Sequence, residues 1–121
     1  MSKRILVVED TEDNRQIIRD LMTSAGYELI EAVDGLEGVA TAEREQPDLI
    51  LMDIQLPGID GYEATRRIRT IPALAGVPII AVTSYALSGD EAKTREAGCD
   101  GYVAKPFSPR QLLAKIREFL P

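Results

Sequence analysis

Short, uninterrupted apolar runs constrain the fold of this chain more than any other feature of its sequence. Residues 5–8 (ILVV), 49–52 (LILM) and 77–82 (VPIIAV) form such runs, and polar or turn-forming residues bound them. A half-exposed strand alternates apolar and polar side chains, whereas a strand buried on both faces reads as a continuous run. The runs therefore predict a parallel sheet covered by helices, with weaker strands at Glu28–Ala32 and Gly101–Ala104.

Amphipathic segments separate the runs and predict five helices, because apolar residues recur in them at helical spacing. The residues that indicate the five helices are Ile17, Ile18, Leu21 and Met22; Leu36, Val39 and Ala40; Tyr62, Ala64, Thr65 and Ile68; Ala92, Arg95, Glu96 and Ala97; and Leu112, Leu113, Ile116, Phe119 and Leu120. Helix-capping pairs occur at Asp34 and Glu37, Asp60 and Glu63, Ser88 and Glu91, and Ser108 and Gln111. Strand followed by helix, five times over, predicts one α/β domain across residues 1–121 with no output domain.

Composition excludes several classes of function. With 14 Lys and Arg against 20 Asp and Glu, the net charge is −6, which disfavours direct nucleic-acid binding. The chain contains no histidine, so it has neither a Ser-His nor a Cys-His nucleophile pair and no histidine metal ligand. The single cysteine, Cys99, cannot form an internal disulfide. No window approaches the ~20 apolar residues of a membrane span, and no signal peptide is visible, so we expect a cytoplasmic chain without membrane association.

Polar residues suited to phosphoryl chemistry follow the apolar runs. Counting all five predicted strands in chain order, Glu9 and Asp10 follow the first, Asp53 follows the third, Thr83 ends the fourth and Lys105 follows the fifth. Taken one at a time, each of these residues is an ordinary helix cap or turn residue. However, the carboxyl ends of parallel strands lie along one rim of the sheet, so all of these residues would lie together there. Crowded carboxylates recruit a hard cation such as Mg²⁺ or Mn²⁺, and a carboxylate can also act as a nucleophile toward phosphorus. The coincidence favours one Mg²⁺-dependent phosphoryl site.

Four segments resemble the receiver domain of bacterial response regulators. They are residues 5–10 (ILVVED), 48–61 (DLILMDIQLPGIDG), 80–84 (IAVTS) and 102–106 (YVAKP), in the order and spacing typical of the family. The resemblance covers essentially the whole chain. It implies a flavodoxin-like fold with strand order 2-1-3-4-5 and a phospho-accepting signalling role. The acidic pair is Glu-Asp, where many family members have Asp-Asp.

The resemblance also implies a role for each site residue. Asp53 would accept a phosphoryl group from a phosphohistidine on another protein, and Lys105 would pair with that group. Thr83 and Tyr102 would form the switch, and the Lys105-Pro106 peptide bond would be cis. The implied metal ligands are Glu9, Asp10, Asp53 and the backbone carbonyl of Gln55.

Two partner surfaces follow from the same resemblance. The first would dock a histidine kinase or a histidine phosphotransfer protein at the start of the first helix; it comprises Thr11, Asn14, Arg15 and Ile18. We expect one of Ile17 and Ile18 to be partly exposed. The second surface would bind a downstream protein target; it comprises Tyr85, Leu87, Arg95, Tyr102 and the exposed side of the last helix. The protein would be a monomer or a weak phosphorylation-dependent dimer.

Three alternatives differ from a stand-alone switch. The chain could be a receiver excised from a hybrid histidine kinase, although Met1 directly before the first strand favours a stand-alone form. It could be a degenerate receiver that only binds partners. It could also be a phosphatase that passes through an aspartyl phosphate, but such enzymes typically need a second acid two residues after the nucleophile, where this chain has Gln55. We therefore expect hydrolysis of its own phosphoryl group and no turnover of an external substrate.

Overall fold

The computed structural model describes residues 2–84 and 90–121, which form a central sheet covered by helices on both faces. The strands are β1 (Arg4–Val8), β2 (Glu28–Ala32), β3 (Leu49–Asp53), β4 (Ile79–Thr83) and β5 (Gly101–Ala104). The helices are α1 (Glu12–Ala25), α2 (Gly35–Glu45), α3 (Gly61–Arg69), α4 (Asp90–Ala97) and α5 (Pro109–Phe119), with a short 3₁₀ helix at Pro72–Leu74. All neighbouring strands are parallel in the order β2-β1-β3-β4-β5. The expected fold class and both weaker strands are confirmed.

The pleat of the sheet divides the core into two layers. In β1, Ile5 and Val7 belong to one layer, and Leu6 and Val8 belong to the other. The first layer, here called the α1/α5 layer, includes buried residues of α1 and α5; the second, the α2/α3 layer, includes buried residues of α2 and α3. Strands β3 and β4 are buried along their whole length. This two-sided burial explains why their sequences are continuously apolar.

Helix α2 buries a different face from the predicted stripe. Leu36 is 58% exposed and Ala40 is exposed, while Val39 alone of the three predicted residues packs against the core. The buried residues of α2 are instead Gly35, Gly38, Thr41 and Ala42. Small residues let the helix backbone approach the sheet closely: a Cβ atom on Gly38 would lie 2.8 Å from a methyl group of Val8. The expected Leu36 stripe is therefore wrong, because close approach rather than side-chain size sets this contact.

Most predicted helix starts are confirmed. The side chains of Asp34, Asp60 and Ser108 each accept a hydrogen bond from the backbone N–H three residues later. Ser108 and Gln111 form a reciprocal capping box. Ser88, of the remaining predicted cap, lies outside the described residues. In residues 2–84 and 90–121, no helix combines the length and apolar character needed to cross a bilayer.

Arg69, at the end of α3, fastens several segments together. Its guanidinium donates at 2.7–3.3 Å to the carbonyl oxygens of Leu74, Ala75, Val77 and Gly98. It also pairs with Asp100 Oδ2 at 2.8 Å, and that oxygen accepts the N–H of Ile79 at 2.9 Å. One side chain thus joins α3, the 3₁₀ helix, the start of β4 and the α4–β5 connection.

We predict that Arg69→Met lowers the free energy of unfolding by about 2–3 kcal/mol, because it leaves several partly buried carbonyl groups and Asp100 without their donor. Urea denaturation would measure the change. Arg66→Met is the matched control: Arg66 lies on the same helix, but its pair with Glu63 is at the surface, 3.6 Å apart. An equal effect of the two substitutions would contradict the assigned role of Arg69.

Burial also controls the chemistry of Cys99, which is 6% exposed. Loss of hydration on burial raises the pKa of its thiol to about 11. At pH 8 about one thiol in a thousand is then ionised, and the thiolate is the reactive form. We predict that iodoacetamide labels Cys99 slowly in the native protein at pH 8 and far faster in urea, as followed by intact mass. Equal rates in the two states would show that the thiol is accessible.

Candidate functional site

The pleat carries three charged side chains to one face of the rim where the strands end. Glu9, Asp53 and Lys105 each lie two positions after a buried residue of the α1/α5 layer, namely Val7, Leu51 and Val103. Side chains two residues apart on a strand share a face. The α1/α5 layer thus ends in two carboxylates and an ammonium group.

Lys105 bridges the two buried carboxylates. Its Nζ atom lies 3.0 Å from Glu9 Oε1 and 3.2 Å from Asp53 Oδ2, and Glu9 and Asp53 are 2% and 3% exposed. β4 separates β5 from β3 in the sheet, so the lysine side chain reaches over the end of β4. Asn14 Nδ2, on α1, donates to Glu9 Oε1 at 2.8 Å. The rim is therefore an organised polar site rather than a set of separate caps.

A third carboxylate makes the rim suitable for a metal ion. One carboxylate oxygen from each of Glu9, Asp10 and Asp53 lies within 4.8 Å of the other two. Among the described residues, Glu9 Oε2 is the buried side-chain atom left without a hydrogen-bond partner. Three carboxylates exceed the single charge of Lys105, and oxygen ligands suit hard divalent cations. The donor set and the unpartnered oxygen both fit Mg²⁺ or Mn²⁺.

The protonation of the site reflects this excess of negative charge. Burial, together with the nearby carboxyl group and charge of Glu9, raises the pKa of Asp53 to about 7. Burial also opposes ionisation of Glu9, yet the nearby Asp53 carboxyl and the hydrogen bonds from Lys105 and Asn14 lower the pKa of Glu9 to about 2. Burial and Glu9 raise the pKa of the Asp10 carboxyl as well. Without a cation, full ionisation of all three carboxyl groups is thus unfavourable.

Gln55 contacts both the central carboxylate and the predicted switch hydroxyl. Its backbone N–H donates to Asp53 Oδ1 at 3.1 Å. Its side-chain Nε2 donates to Thr83 Oγ1 at 3.0 Å, and its Oε1 accepts the N–H of Ser84 at 3.0 Å. Sequence analysis did not predict this side-chain contact, because Thr83 lies 28 residues away along the chain. Parallel pairing of β3 and β4 is what brings the two together.

Tyr102 and Thr83 lie on the same face of the sheet. Thr83 pairs with Ala104 and Ala81 pairs with Tyr102, so the two side chains are diagonal neighbours on adjacent strands. Tyr102 is partly buried against the α2/α3 layer and lines a cavity of about 490 Å³ beside α5. Tyr102 also lines a smaller cavity, of about 150 Å³, together with the exposed Arg95.

Two members of the predicted second partner surface, Tyr85 and Leu87, lie outside the described residues.

The expected cis peptide bond between Lys105 and Pro106 is present.

The first predicted partner surface needs correction. Ile18 is 2% exposed, whereas Ile17 is 50% exposed. Ile18 and Met22, four residues apart on α1, both pack into the α1/α5 layer, and this turns Ile17 to the outside. Ile17 lines a groove of about 400 Å³; among the described residues, Asn14, Ser84, Lys105, Pro106 and Phe107 also line it. Ile17 therefore replaces Ile18 on this surface.

Arg15, also predicted for the first surface, is mostly buried and held within the chain. It donates to the Glu9 carbonyl at 2.7 Å and pairs with Glu12 and Glu31. Thr11 is exposed, as expected. The exposed part of the surface thus consists of Thr11 and Ile17, with Asn14 at its inner edge.

Comparison with known proteins agrees with this architecture. The model of the response regulator receiver domain family matches residues 5–117. The polar-differentiation response regulator DivK of Brucella ovis is 42% identical over 120 residues, which are 99% of this chain and 98% of DivK.

Solved structures give the same result. The receiver domain of the sensor histidine kinase PA1611 of Pseudomonas aeruginosa, crystallised with a magnesium ion coordinated in its active site cleft, is 41% identical with a TM-score of 0.92. That match covers 99% of this chain and 98% of the other. The chemotaxis protein CheY4 of Vibrio cholerae is 28% identical with a TM-score of 0.94, over 98% and 99% of the two chains. The fold, the rim and these similarities together show that the chain belongs to the response regulator receiver domain family.

Proposed function

We propose that this chain is a phospho-accepting switch of a two-component system or phosphorelay, with Asp53 as the acceptor. One observation carries the proposal: Asp53 is buried 3.2 Å from the Lys105 ammonium, in a cluster of three carboxylates where Glu9 Oε2 has no hydrogen-bond partner among the residues that the structure describes. The donor is a phosphohistidine on a histidine kinase or histidine phosphotransfer protein, as the family resemblance implies, and the absence of histidine from these 121 residues fits a purely accepting role.

The transfer step follows from the contacts of Asp53. A carboxylate oxygen of Asp53 attacks the phosphorus atom, the bond from phosphorus to the histidine nitrogen breaks, and an acyl phosphate forms on Asp53. Lys105 offsets the negative charge of the transferred group from the side of Oδ2. Glu9, Asp10, Asp53 and the backbone carbonyl of Gln55 would hold Mg²⁺ or Mn²⁺, which supplies Lewis-acid stabilisation of phosphoryl oxygens.

Phosphorylation adds up to two negative charges and three acceptor oxygens at the rim. The Thr83 hydroxyl moves toward the phosphoryl group, and Tyr102, its diagonal neighbour, turns inward. The surface that includes Arg95, β5 and α5 changes shape and binds a downstream protein target. Such a response is a two-state equilibrium biased by a local change of charge. The protein acts as a monomer or as a weak phosphorylation-dependent dimer.

The switch resets by hydrolysis of its own phosphoryl group and does not turn over an external substrate. Gln55 supports this, because it stands two residues after Asp53 and brings no second acid. We also propose that residues 1–121 act as one receiver domain in the cytoplasm, where the unpaired Cys99 stays reduced. A response regulator and the receiver domain of a sensor histidine kinase are similar to this chain to nearly the same degree. Sequence identity therefore favours neither a stand-alone regulator nor a receiver domain of a hybrid histidine kinase.

We predict that acetyl phosphate with Mg²⁺ adds the mass of one phosphoryl group to the protein, and that Asp53→Asn abolishes the gain. Intact-protein mass spectrometry measures both. Asp60→Asn is the matched control, because asparagine still caps α3 and the carboxylate lost is outside the cluster. If the wild-type protein gains no mass from acetyl phosphate or from a phosphorylated histidine phosphotransfer protein, yet binds Mg²⁺, it is a receiver that only binds partners.

We predict that Mg²⁺ stabilises the folded protein by about 2.7 kcal/mol when its concentration is about 100 times the Kd. Asp10→Asn removes this response without destabilising the metal-free protein. The reason is that a raised carboxyl pKa means the folded state disfavours the ionised form, so losing that charge costs nothing above the pKa.

Thermal unfolding with Mg²⁺ and with a chelator measures the effect. Asp13→Asn, which removes an exposed carboxylate at the start of α1, is the control and keeps the full response. A normal Mg²⁺ response in Asp10→Asn would show that the ion binds elsewhere.

A further inference from the structure

We propose that the side chain of Gln55 is a latch that holds the Thr83 hydroxyl in its unphosphorylated position and so sets how readily the domain switches. The inference rests on the proposed function, because it concerns regulation of the same site. Gln55 acts here as a positioning residue, through Thr83.

The hydrogen bonds of Gln55 fix the orientation of its amide. The backbone N–H of Ser84 can only donate, so the side-chain oxygen of Gln55 must face it, at 3.0 Å. The NH₂ group then points at Thr83 Oγ1, also at 3.0 Å. Because two partners on one strand end hold both halves of the amide, Gln55 cannot turn away from Thr83 without losing a bond.

The register of the sheet shows what the latch opposes. Asp53 pairs with Val82, and both side chains belong to the α1/α5 side of the sheet. Thr83 is the next residue on β4, so its side chain starts on the opposite face, and it is fully buried. To reach a phosphoryl group on Asp53, the Thr83 hydroxyl must leave its present position. The bond from Gln55 holds it there.

Gln55 is also placed to sense the acceptor. Its backbone N–H donates to Asp53 Oδ1, while its side chain holds Thr83, so one residue contacts both members of the proposed switch. The bond to Ser84 is independent of Thr83 and keeps the β3 and β4 ends joined after the hydroxyl departs. Opening the latch therefore requires the loss of the hydrogen bond between Gln55 and Thr83 rather than unfolding of the rim.

The test uses Gln55→Met and beryllofluoride with Mg²⁺, a mimic of a phosphoryl group on an aspartate. Methionine is unbranched and similar in length to glutamine, but it offers no comparable donor. We expect beryllofluoride to bind Gln55→Met about 3- to 10-fold more tightly than wild type, the factor that one neutral hydrogen bond contributes. Titrations followed by amide NMR spectra report affinity and confirm that each variant is folded.

A second variant separates the latch from a general structural role. In Thr83→Val the hydroxyl is absent, so adding Gln55→Met should change the affinity for beryllofluoride little, a coupling that a double-mutant cycle measures. Gln16→Met, an exposed glutamine on α1, is the control and should leave the affinity unchanged. Weaker binding by Gln55→Met, or the same gain in the Thr83→Val background, would overturn the latch.

The outcome for the wild-type protein distinguishes the two proposals. If wild type binds beryllofluoride and Gln55→Met binds it equally well, the latch is wrong and the proposed switch stands. If wild type shows no response to beryllofluoride with Mg²⁺, the proposed function fails, and the latch fails with it.

Discussion

The structure depends on an imbalance of charge at one rim of the sheet. Glu9, Asp10 and Asp53 bring three carboxylates together, and Lys105 brings one ammonium. Burial makes the imbalance costly, since buried charges are screened less than exposed ones. A domain of this size tolerates such a site only on a rigid base, which the fully buried strands β3 and β4 provide.

The rigid contacts of the fold and the contacts that can change lie at different ends of the strands. Arg69 joins α3, the start of β4 and the α4–β5 connection at the end of the strands opposite the rim. It does so by hydrogen bonds to carbonyl groups that need a donor in any state. At the rim, by contrast, a few hydrogen bonds join residues at the ends of different strands: Gln55 bonds Thr83 and Ser84, and Lys105 bonds Glu9 and Asp53. Single polar bonds exchange at modest cost, whereas packed layers do not deform continuously. Any change driven by Asp53 is therefore concentrated at the rim.

Sequence alone was enough for the parallel sheet and for the residues of the rim, because continuous apolar runs and the polar groups that follow them are local patterns. The family resemblance supplied the strand order. Tertiary contacts decided the rest: the close approach of Gly38 to Val8 turned Leu36 outward, and the rotation of α1 exchanged Ile17 for Ile18. The hydrogen bond from the Gln55 side chain to Thr83 could not be predicted from a local pattern, because Thr83 is on another strand.

The shortness of β5 has a consequence for how proteins can meet this domain. Lys105, directly after β5, is three residues from Tyr102 within β5, about 10 Å along an extended chain. An ordinary protein interface covers about 800 Å² on each partner, which is far wider than that separation. A protein seated over the charged rim therefore also covers surface close to the aromatic side chain. On the proposed function, input and output partners would compete for neighbouring surface, and the domain would pass its signal from one partner to the next.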